Sequence, residues 1–203
     1  MAPGGAGPTR LHLVRHGQVH NPRRMVYGRL PGWSLSAKGR AQAEAVARVL
    51  AGRPVAALYS SPLERARETA HILAAALGLE VRVRDDLTES ALAAQWEGLS
   101  WPHVWMRRRR EWKTYRERPL ELAAPEPLDR LARRIADAVR EIAAAHRGEE
   151  VVAVSHGDPI KAAVLALTGA DLARLHDERL PTGGRVTLEV AADGGARVVE
   201  RDV

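Results

Sequence analysis

The sequence predicts an α/β fold of three layers (α/β/α), with a mostly parallel central sheet and a small helical insertion over the predicted site. Short apolar segments alternate along the chain with longer segments whose apolar residues recur every three or four positions, as in amphipathic helices. Two of the apolar segments stop at a histidine followed by a glycine, at His16 and at His156. This alternation predicts parallel strands that helices cover on both faces.

The individual elements follow from their patterns. The predicted strands are short apolar or alternating segments at residues 11–15, 55–60, 80–84, 151–155, 185–190 and 196–201. The predicted helices carry apolar residues at helical spacing and cover residues 36–50, 62–77, 128–146 and 159–168. The sequence Asp193-Gly194-Gly195 separates the last two strands, which predicts a hairpin.

The start of the second helix contains a further signal. Ser61 and Glu64 are spaced as a capping box, with Pro62 at the first helical position. Arg65 then falls in the first turn, beside the positive end of the helix dipole and next to a strand end. This arrangement favours an anion site, although an arginine at such a position can also be a solvated surface residue.

Residues 99–127 interrupt the alternation and are predicted as a helical, cap-like insertion over the sheet. Trp105 and Trp112 are seven residues apart, so we expect them on one helical face that packs into the core. The run from Arg107 to Arg110 is interpreted as a solvated charged face. The alternative is a cap whose arginines attract a phosphorylated substrate.

Length and composition indicate one domain over residues 10–203, preceded by a flexible tail over residues 1–9. The chain has no cysteine, which excludes disulfides and thiolate catalysis. It contains no apolar run of membrane-spanning length and no signal-peptide pattern, so we predict a cytoplasmic protein that does not bind membranes. The net charge of +6 would suit an acidic partner, but no nucleic-acid-binding motif accompanies it, and we predict no nucleic-acid partner.

The residues around the first histidine indicate a reactive side chain. Arg15 and His16 lie where the first strand ends, and Gly17 allows the backbone to turn there. The charge of Arg15 is expected to lower the pKa of His16, so that the imidazole is neutral and nucleophilic at physiological pH. Phosphoryl groups accept such attack when arginines neutralise their oxygens. The pattern therefore points to chemistry on an anion.

A metal site is the competing interpretation of this segment. His12, His16 and His20 are spaced by four, which on a helix would place three imidazoles on one face. Gly17 and the strand-like residues 11–14 argue against a helix, and no acidic ligand lies nearby. We therefore predict no metal site, with His12 in a strand and His20 in a loop.

Three motifs together resemble the histidine phosphatase superfamily, also called the phosphoglycerate-mutase-like family. They are Leu13-Val14-Arg15-His16-Gly17, the segment from Ser60 to Ala66 with Thr69-Ala70 following it, and Val154-Ser155-His156-Gly157. Each lies at a strand end or a helix start, and the resemblance extends from Leu11 to about Val190.

The resemblance implies a role for each matching residue. His16 is expected to be the nucleophile that becomes phosphorylated, and His156 to be catalytic by positioning the transferring group. The substrate phosphate is expected to bind Arg15, Arg65 and Gly157, together with His156. Asn21 is a further candidate for the phosphate, although it lies one residue closer to the histidine than in the commonest family pattern.

The resemblance implies a carboxylic acid that protonates the leaving oxygen, and Glu89 matches it best. The stretch from Glu89 to Gly98 is longer than usual and lacks the family glycine. Glu97 and Asp158 therefore remain alternatives for the acid.

These residues predict a phosphomonoesterase of the histidine acid phosphatase type, which acts on a small phosphorylated metabolite through a phosphohistidine. The resemblance implies no metal and no cofactor, because arginines replace the ion on the phosphoryl oxygens. A phosphoglycerate-mutase-type phosphotransferase and a phosphate-binding module without catalysis are the alternatives. The particular substrate and the oligomeric state are not predicted.

Overall fold

A computed structural model describes residues 7–202, whose six-stranded sheet confirms the predicted α/β fold. The strands are Thr9–Arg15 (β1), Val55–Ser60 (β2), Val81–Val83 (β3), Glu150–Ser155 (β4), Arg185–Val190 (β5) and Ala196–Asp202 (β6). The α-helices are Ala37–Leu50 (α1), Glu64–Leu77 (α2), Trp101–Arg107 (α3), Arg109–Glu117 (α4), Leu128–Ala145 (α5) and Gly157–Thr168 (α6). Short 3-10 turns cover Asp85–Leu87, Ala94–Trp96, Pro119–Glu121 and Leu172–Arg174.

The sheet order brings the two histidine segments together. The strands are arranged in the order β3-β2-β4-β1-β5-β6. The first four in this order are parallel, whereas β5 is antiparallel to both β1 and β6. In the register of β1 with β4, Arg15 is opposite Ser155. The carboxyl ends of β1, β2 and β4 therefore meet at one edge of the sheet, where α/β folds bind ligands.

Helices cover both faces of the sheet and give it two cores. In β4, Val152 and Val154 pack on the side of α1 and α2, whereas Val151 and Ala153 pack on the side of α5 and α6. This division follows from the alternation of side chains along a strand. His12 lies in β1 as predicted, buried and hydrogen-bonded to Thr187 and Glu150.

The capping box predicted at the start of α2 is wrong. The helix begins at Glu64 rather than at Pro62, and Leu63 occupies the N-cap without a side-chain hydrogen bond. The Ser61 hydroxyl is hydrogen-bonded to a histidine of the site, and the Glu64 carboxylate accepts a hydrogen bond from Ser34. Both side chains are therefore engaged outside the helix that they were predicted to cap.

The insertion forms two helices, because the chain breaks its helical path at Arg108. The break separates the two tryptophans that were predicted to share one face. Trp112 packs against Trp101 with ring centroids 5.3 Å apart, whereas Trp105 is 60% exposed, so the prediction of core packing is wrong for Trp105. The arginines at 107–110 are all exposed, which agrees with a solvated face.

The predicted amino-terminal tail differs from the structure at its last residue. β1 begins at Thr9, which is buried and whose hydroxyl donates to the Ala143 and His146 carbonyls. Residues 1–6 of that predicted tail lie outside the described residues. No helix in the part of the chain that the structure describes is long and apolar enough to span a bilayer.

Candidate active site

Three side chains that follow strands β1, β2 and β4 lie together at the carboxyl edge of the sheet. They belong to His16, Ser61 and His156, and all three are fully buried. The two imidazole rings have centroids 5.1 Å apart and an interplanar angle of 60°. The parallel register therefore delivers two imidazoles, 140 positions apart in the numbering, to one place.

His16 is held with one ring nitrogen available for reaction. Its Nδ1 lies 2.8 Å from the Gly17 carbonyl oxygen, and since a carbonyl only accepts, Nδ1 carries the hydrogen. Nε2 is then unprotonated, and it accepts a hydrogen bond from Arg65 Nε at 3.2 Å. Burial, followed by the charges of Arg65 and Arg15, holds the pKa of His16 well below its usual value. The ring is therefore neutral, as a nucleophile requires.

Gly17 allows this turn to approach α1 closely. A Cβ at Gly17 would lie 2.3 Å from the Gly39 carbonyl oxygen, so no other residue fits without a shift of the backbone. The Gly17 amide donates to Thr69 Oγ1 at 3.1 Å, and that hydroxyl donates to the Arg65 carbonyl at 2.8 Å. Thr69 thus fixes the distance between the turn at His16 and Gly17 and the helix that carries Arg65.

Arg65 lies in the first turn of α2 and is 1% exposed. Its Nη2 donates to the Gly28 carbonyl at 2.7 Å, and its guanidinium lies 4.8 Å from the centre of the Tyr27 ring. Gly28 has a φ of +37°, and a Cβ there would clash with the Glu97 carboxylate. The chain around Gly28 therefore closes over the guanidinium.

Arg15 approaches the same point from the end of β1. Its Nη1 donates to the Leu180 carbonyl at 2.6 Å, while its Nε is buried without a hydrogen-bond partner. A Cβ at Gly157 would lie 3.1 Å from Arg15 Cζ. The glycine after His156 therefore leaves room for the guanidinium beside the amino terminus of α6.

His156 is oriented by a residue that the sequence assigned to a helix cap. Its Nε2 lies 2.7 Å from Ser61 Oγ, which also accepts a hydrogen bond from the Leu63 amide at 3.3 Å. When Ser61 donates to Nε2, the hydrogen of the neutral ring lies on Nδ1, which is buried and has no partner. Burial, Arg65 and His16 hold the pKa of His156 well below its usual value. A neutral ring with a free N–H is a donor for an oxyanion.

Glu89 brings a carboxyl group to this cluster. Its Oε2 lies 3.8 Å from His156 Nδ1 and 4.0 Å from Arg65 Nη2, and its Oε1 accepts from the Ser90 amide at 2.8 Å. Burial, followed by the negative charge of Asp158, raises the pKa of Glu89 above its usual value. The protonated form is thereby favoured, as a general acid requires.

The loop that carries Glu89 is held by a network of ion pairs. The Glu89 carbonyl accepts from Arg29 Nε at 2.7 Å and from Arg134 Nη2 at 3.5 Å. Both arginines bind the carboxylate of Glu126, with Arg29 Nη2 and Arg134 Nε each at 2.7 Å. Glu126 also accepts from the Ala91 amide at 3.3 Å. This network stabilises the loop on α5.

The other predicted candidates lie outside the cluster or make different contacts. The Asn21 carboxamide is hydrogen-bonded to both main-chain groups of Met25 at 2.8 Å, so its predicted contact with phosphate stays a prediction. Glu97 Oε1 accepts from the Arg29 amide at 2.7 Å. Asp158 accepts hydrogen bonds from Tyr115 and Lys161. Of the three candidate acids, Glu89 is the carboxyl group that faces both His156 and Arg65.

His16, Glu89 and His156 have donor atoms within 4.8 Å of one another, a separation that a metal ion can bridge. The guanidiniums of Arg65 and Arg15 both lie beside this point. The positive charge opposes a cation and favours an anion. The chemistry of this donor set therefore fits a phosphoryl oxyanion better than a metal.

Sequence reasoning included Ser61 and Thr69 in a motif without their contacts at the site, and it did not consider Arg134 and Glu126. Each acts through a partner that is distant along the chain, such as His156 for Ser61 and the Glu89 loop for Glu126. The sequence does show a local signal for Thr69, because it lies four residues after Arg65, on the same helix face.

A cavity of about 310 Å³ opens beside the cluster. Arg15 and Glu89 of the cluster line it, together with residues of α4 and α6. The predicted insertion thus forms part of the wall of the site.

Comparison with known proteins agrees with this geometry. The family model of the histidine phosphatase superfamily (branch 1) matches residues 11–202. The uncharacterized protein Rv0525 of Mycobacterium tuberculosis is 43% identical over 84% of this chain and 83% of its own length. The metal-independent phosphoserine phosphatase of Arabidopsis thaliana is 34% identical over 81% of this chain and 71% of its own. The solved structure of a mycobacterial glucosyl-3-phosphoglycerate phosphatase, with VO3, is 29% identical with a TM-score of 0.83, over 94% of this chain and 97% of that one. The chain belongs to the histidine phosphatase superfamily.

Proposed function

We propose that this member of the superfamily is a phosphatase that hydrolyses small phosphomonoesters without a metal ion, through a phosphohistidine on His16. The observation that carries the proposal is the pair of buried donors without partners, Arg15 Nε and His156 Nδ1, beside the unprotonated Nε2 of His16. Buried polar groups are costly unless they are hydrogen-bonded, and a phosphoryl group would supply acceptors for both donors. The similarity to phosphatases supports the same reaction class.

In the first step His16 Nε2 attacks phosphorus, and the bond from phosphorus to the leaving oxygen breaks. Glu89, in its protonated form, gives its proton to that oxygen, so that the leaving group departs as an alcohol. Arg15, Arg65 and His156 donate hydrogen bonds to the phosphoryl oxygens and stabilise their charge in the transition state.

In the second step water attacks the phosphorus of the phosphohistidine. The Glu89 carboxylate that remains from the first step accepts a proton from the water, and the bond from nitrogen to phosphorus breaks. Inorganic phosphate and the original imidazole are the products. The positive charges of the two arginines take the role that a metal ion has in other phosphoryl-transfer enzymes.

The directions of two pKa shifts are compatible with the acid-phosphatase character of the proposal. Activity requires neutral His16, whose pKa lies well below its usual value, and protonated Glu89, whose pKa lies above its usual value. Both shifts widen the pH range in which the two required forms coexist, and the first step is expected to slow as the pH rises through the pKa of Glu89.

The test is hydrolysis of p-nitrophenyl phosphate in the presence of EDTA, with His16→Ala as the variant. Wild-type protein is expected to release phosphate with EDTA present, and His16→Ala to lower kcat by about 10³-fold or more. Acid quench after mixing should trap a phosphoryl group on wild type and none on the variant. Turnover that EDTA abolishes, or that His16→Ala retains, would contradict the proposal. Phosphate transfer to an acceptor alcohol without release would indicate a mutase instead.

A further inference from the structure

Three buried side-chain nitrogens in the described part of the chain have no hydrogen-bond partner. Two of them, in Arg15 and His156, belong to the cluster that the proposed phosphoryl group would satisfy. The third is Nε2 of His176, which lines the same cavity as Arg15 and whose ring centroid lies 4.3 Å from that of Tyr115. Arg15 and His176 line the same cavity, so a ligand whose phosphoryl group binds the cluster and whose remainder occupies the cavity has His176 as a second point of contact.

The chemistry of His176 limits what can bind there. Burial is the main cause that lowers the pKa of His176 to about 4, so the ring is neutral near pH 7. A neutral imidazole has one N–H donor and one acceptor nitrogen. A hydroxyl group both donates and accepts, so it can pair with the free nitrogen in either tautomer, whereas a carboxylate only accepts.

Next to His176, Lys161 can donate hydrogen bonds to a ligand and Asp158 can accept them. Their charges cancel each other. Lys161 Nζ lies 2.9 Å from one oxygen of Asp158, and the Tyr115 hydroxyl donates to the other oxygen at 2.9 Å. Each carboxylate oxygen keeps a free lone pair, and the ammonium keeps further N–H groups. A carboxylate on the ligand would meet the negative charge of Asp158, and Lys161 is already paired. A hydroxyl group has no charge, so Asp158 does not repel it and it needs no unpaired cation.

Part of the cavity wall is aromatic. Trp101 and Trp112 line it, and their rings pack against each other with centroids 5.3 Å apart. Flat apolar rings suit the C–H faces of a carbon chain or sugar ring whose hydroxyls point elsewhere. Arg116 also lines the cavity, but it is exposed, so water screens its attraction for an anion.

We infer that the part of the cavity lined by His176, Asp158 and Lys161 binds a neutral leaving group rich in hydroxyls, the polyol or sugar part of a phosphomonoester, in preference to one that carries a carboxylate. His176, Asp158 and Lys161 supply the hydrogen bonds, and Trp101 and Trp112 supply the apolar wall. The inference rests on the proposed function, because it concerns the group that leaves when the phosphate is transferred.

The test compares substrates that differ only at the terminal carbon. Glucitol 6-phosphate ends in a hydroxymethyl group where 6-phosphogluconate has a carboxylate, and glycerol 3-phosphate and 3-phosphoglycerate form the same pair at three carbons. We expect kcat/KM to be at least about tenfold higher for the hydroxymethyl member of the six-carbon pair, as the loss of one or two hydrogen bonds predicts. We expect a smaller preference within the three-carbon pair, because its chain extends less far from the phosphate.

A matched pair of variants tests whether His176 causes this substrate preference. His176→Leu is expected to lower kcat/KM for glucitol 6-phosphate about tenfold and to reduce the preference over 6-phosphogluconate. His103→Leu removes an exposed histidine that does not line this cavity, and it should change neither value.

The outcomes separate this inference from the proposed function. Equal or better hydrolysis of 6-phosphogluconate, or a preference that His176→Leu leaves intact, would overturn the inference while p-nitrophenyl phosphate turnover upholds the phosphatase. Absence of turnover of every phosphomonoester would overturn both, because no leaving group would then exist.

Discussion

The carboxylate of Glu126 holds the loop of the proposed acid, and removing it tests that role. Glu126 is 9% exposed and accepts hydrogen bonds from Arg134 at 2.7 and 3.0 Å, from Arg29 at 2.7 Å and from the Ala91 amide at 3.3 Å. Glu126→Ala leaves all of these donors without their acceptor. The Glu89 carbonyl, which both arginines also contact, loses its support at the same time.

The magnitude follows from the burial of the partners. Breaking a buried ion pair by removing one partner costs about 3–5 kcal/mol. The side chain of Arg29 is 38% exposed and is screened by solvent, so its part of the loss is about 0–1 kcal/mol. The side chain of Arg134 is 20% exposed and carries most of the effect. We therefore expect Glu126→Ala to lower the free energy of unfolding by about 3 kcal/mol, or Tm by about 6–12 °C.

Urea denaturation and thermal unfolding measure this change. Glu126→Gln keeps an acceptor oxygen and is expected to lose less, about 1–2 kcal/mol. The matched control is Glu117→Ala, which removes an exposed carboxylate paired with Lys113 and should change stability by no more than about 0.5 kcal/mol. A loss below about 1 kcal/mol for Glu126→Ala, or equal losses for both alanine variants, would refute the reasoning.

Two further predictions concern the reacting groups. Because the pKa of Glu89 is raised mainly by burial, kcat/KM should decline as the pH rises through that pKa, and Glu89→Gln should remove this decline; a decline that persists in Glu89→Gln would assign it to another group. Ser61→Ala leaves His156 Nε2 without its buried partner, so we expect kcat/KM for p-nitrophenyl phosphate to drop about tenfold with the fold retained by circular dichroism, and wild-type kinetics would contradict the orienting role.

The parts of the fold and site that the sequence predicts are those with local signals. His16 and His156 each follow a buried apolar strand, and strand ends in a parallel sheet meet at one edge, so their proximity follows from pattern and topology alone. Trp105 shows the limit of such reasoning. Its spacing from Trp112 predicts one helical face, but the helix breaks at Arg108, and nothing in the local spacing indicates that break.

The capping box fails for a related reason. Ser61 has the residue type and spacing of a helix cap, and a hydroxyl can satisfy either a backbone amide or a nearby imidazole. The imidazole of His156, which lies 95 residues further along the chain, is hydrogen-bonded to this hydroxyl. A strong local motif can therefore be displaced by a partner that only the folded sheet supplies.

Glu89 has a local signal in the sequence, but its position depends on residues that are distant along the chain. Its match to the family acid is visible in the sequence, yet the stretch after it lacks the expected glycine and contains Ala91, Ala93 and Ala94 instead. Support for the loop comes from Glu126 and Arg134, which in the sequence resemble ordinary solvated charges near the start of a helix. Their carboxylate and guanidinium hold the main chain of residues 86–91, so the glycine is not required for the carboxyl group to face His156. The position of the proposed acid thus depends on a network that only tertiary structure assembles, and for this reason Glu97 and Asp158 could not be set aside from the sequence alone.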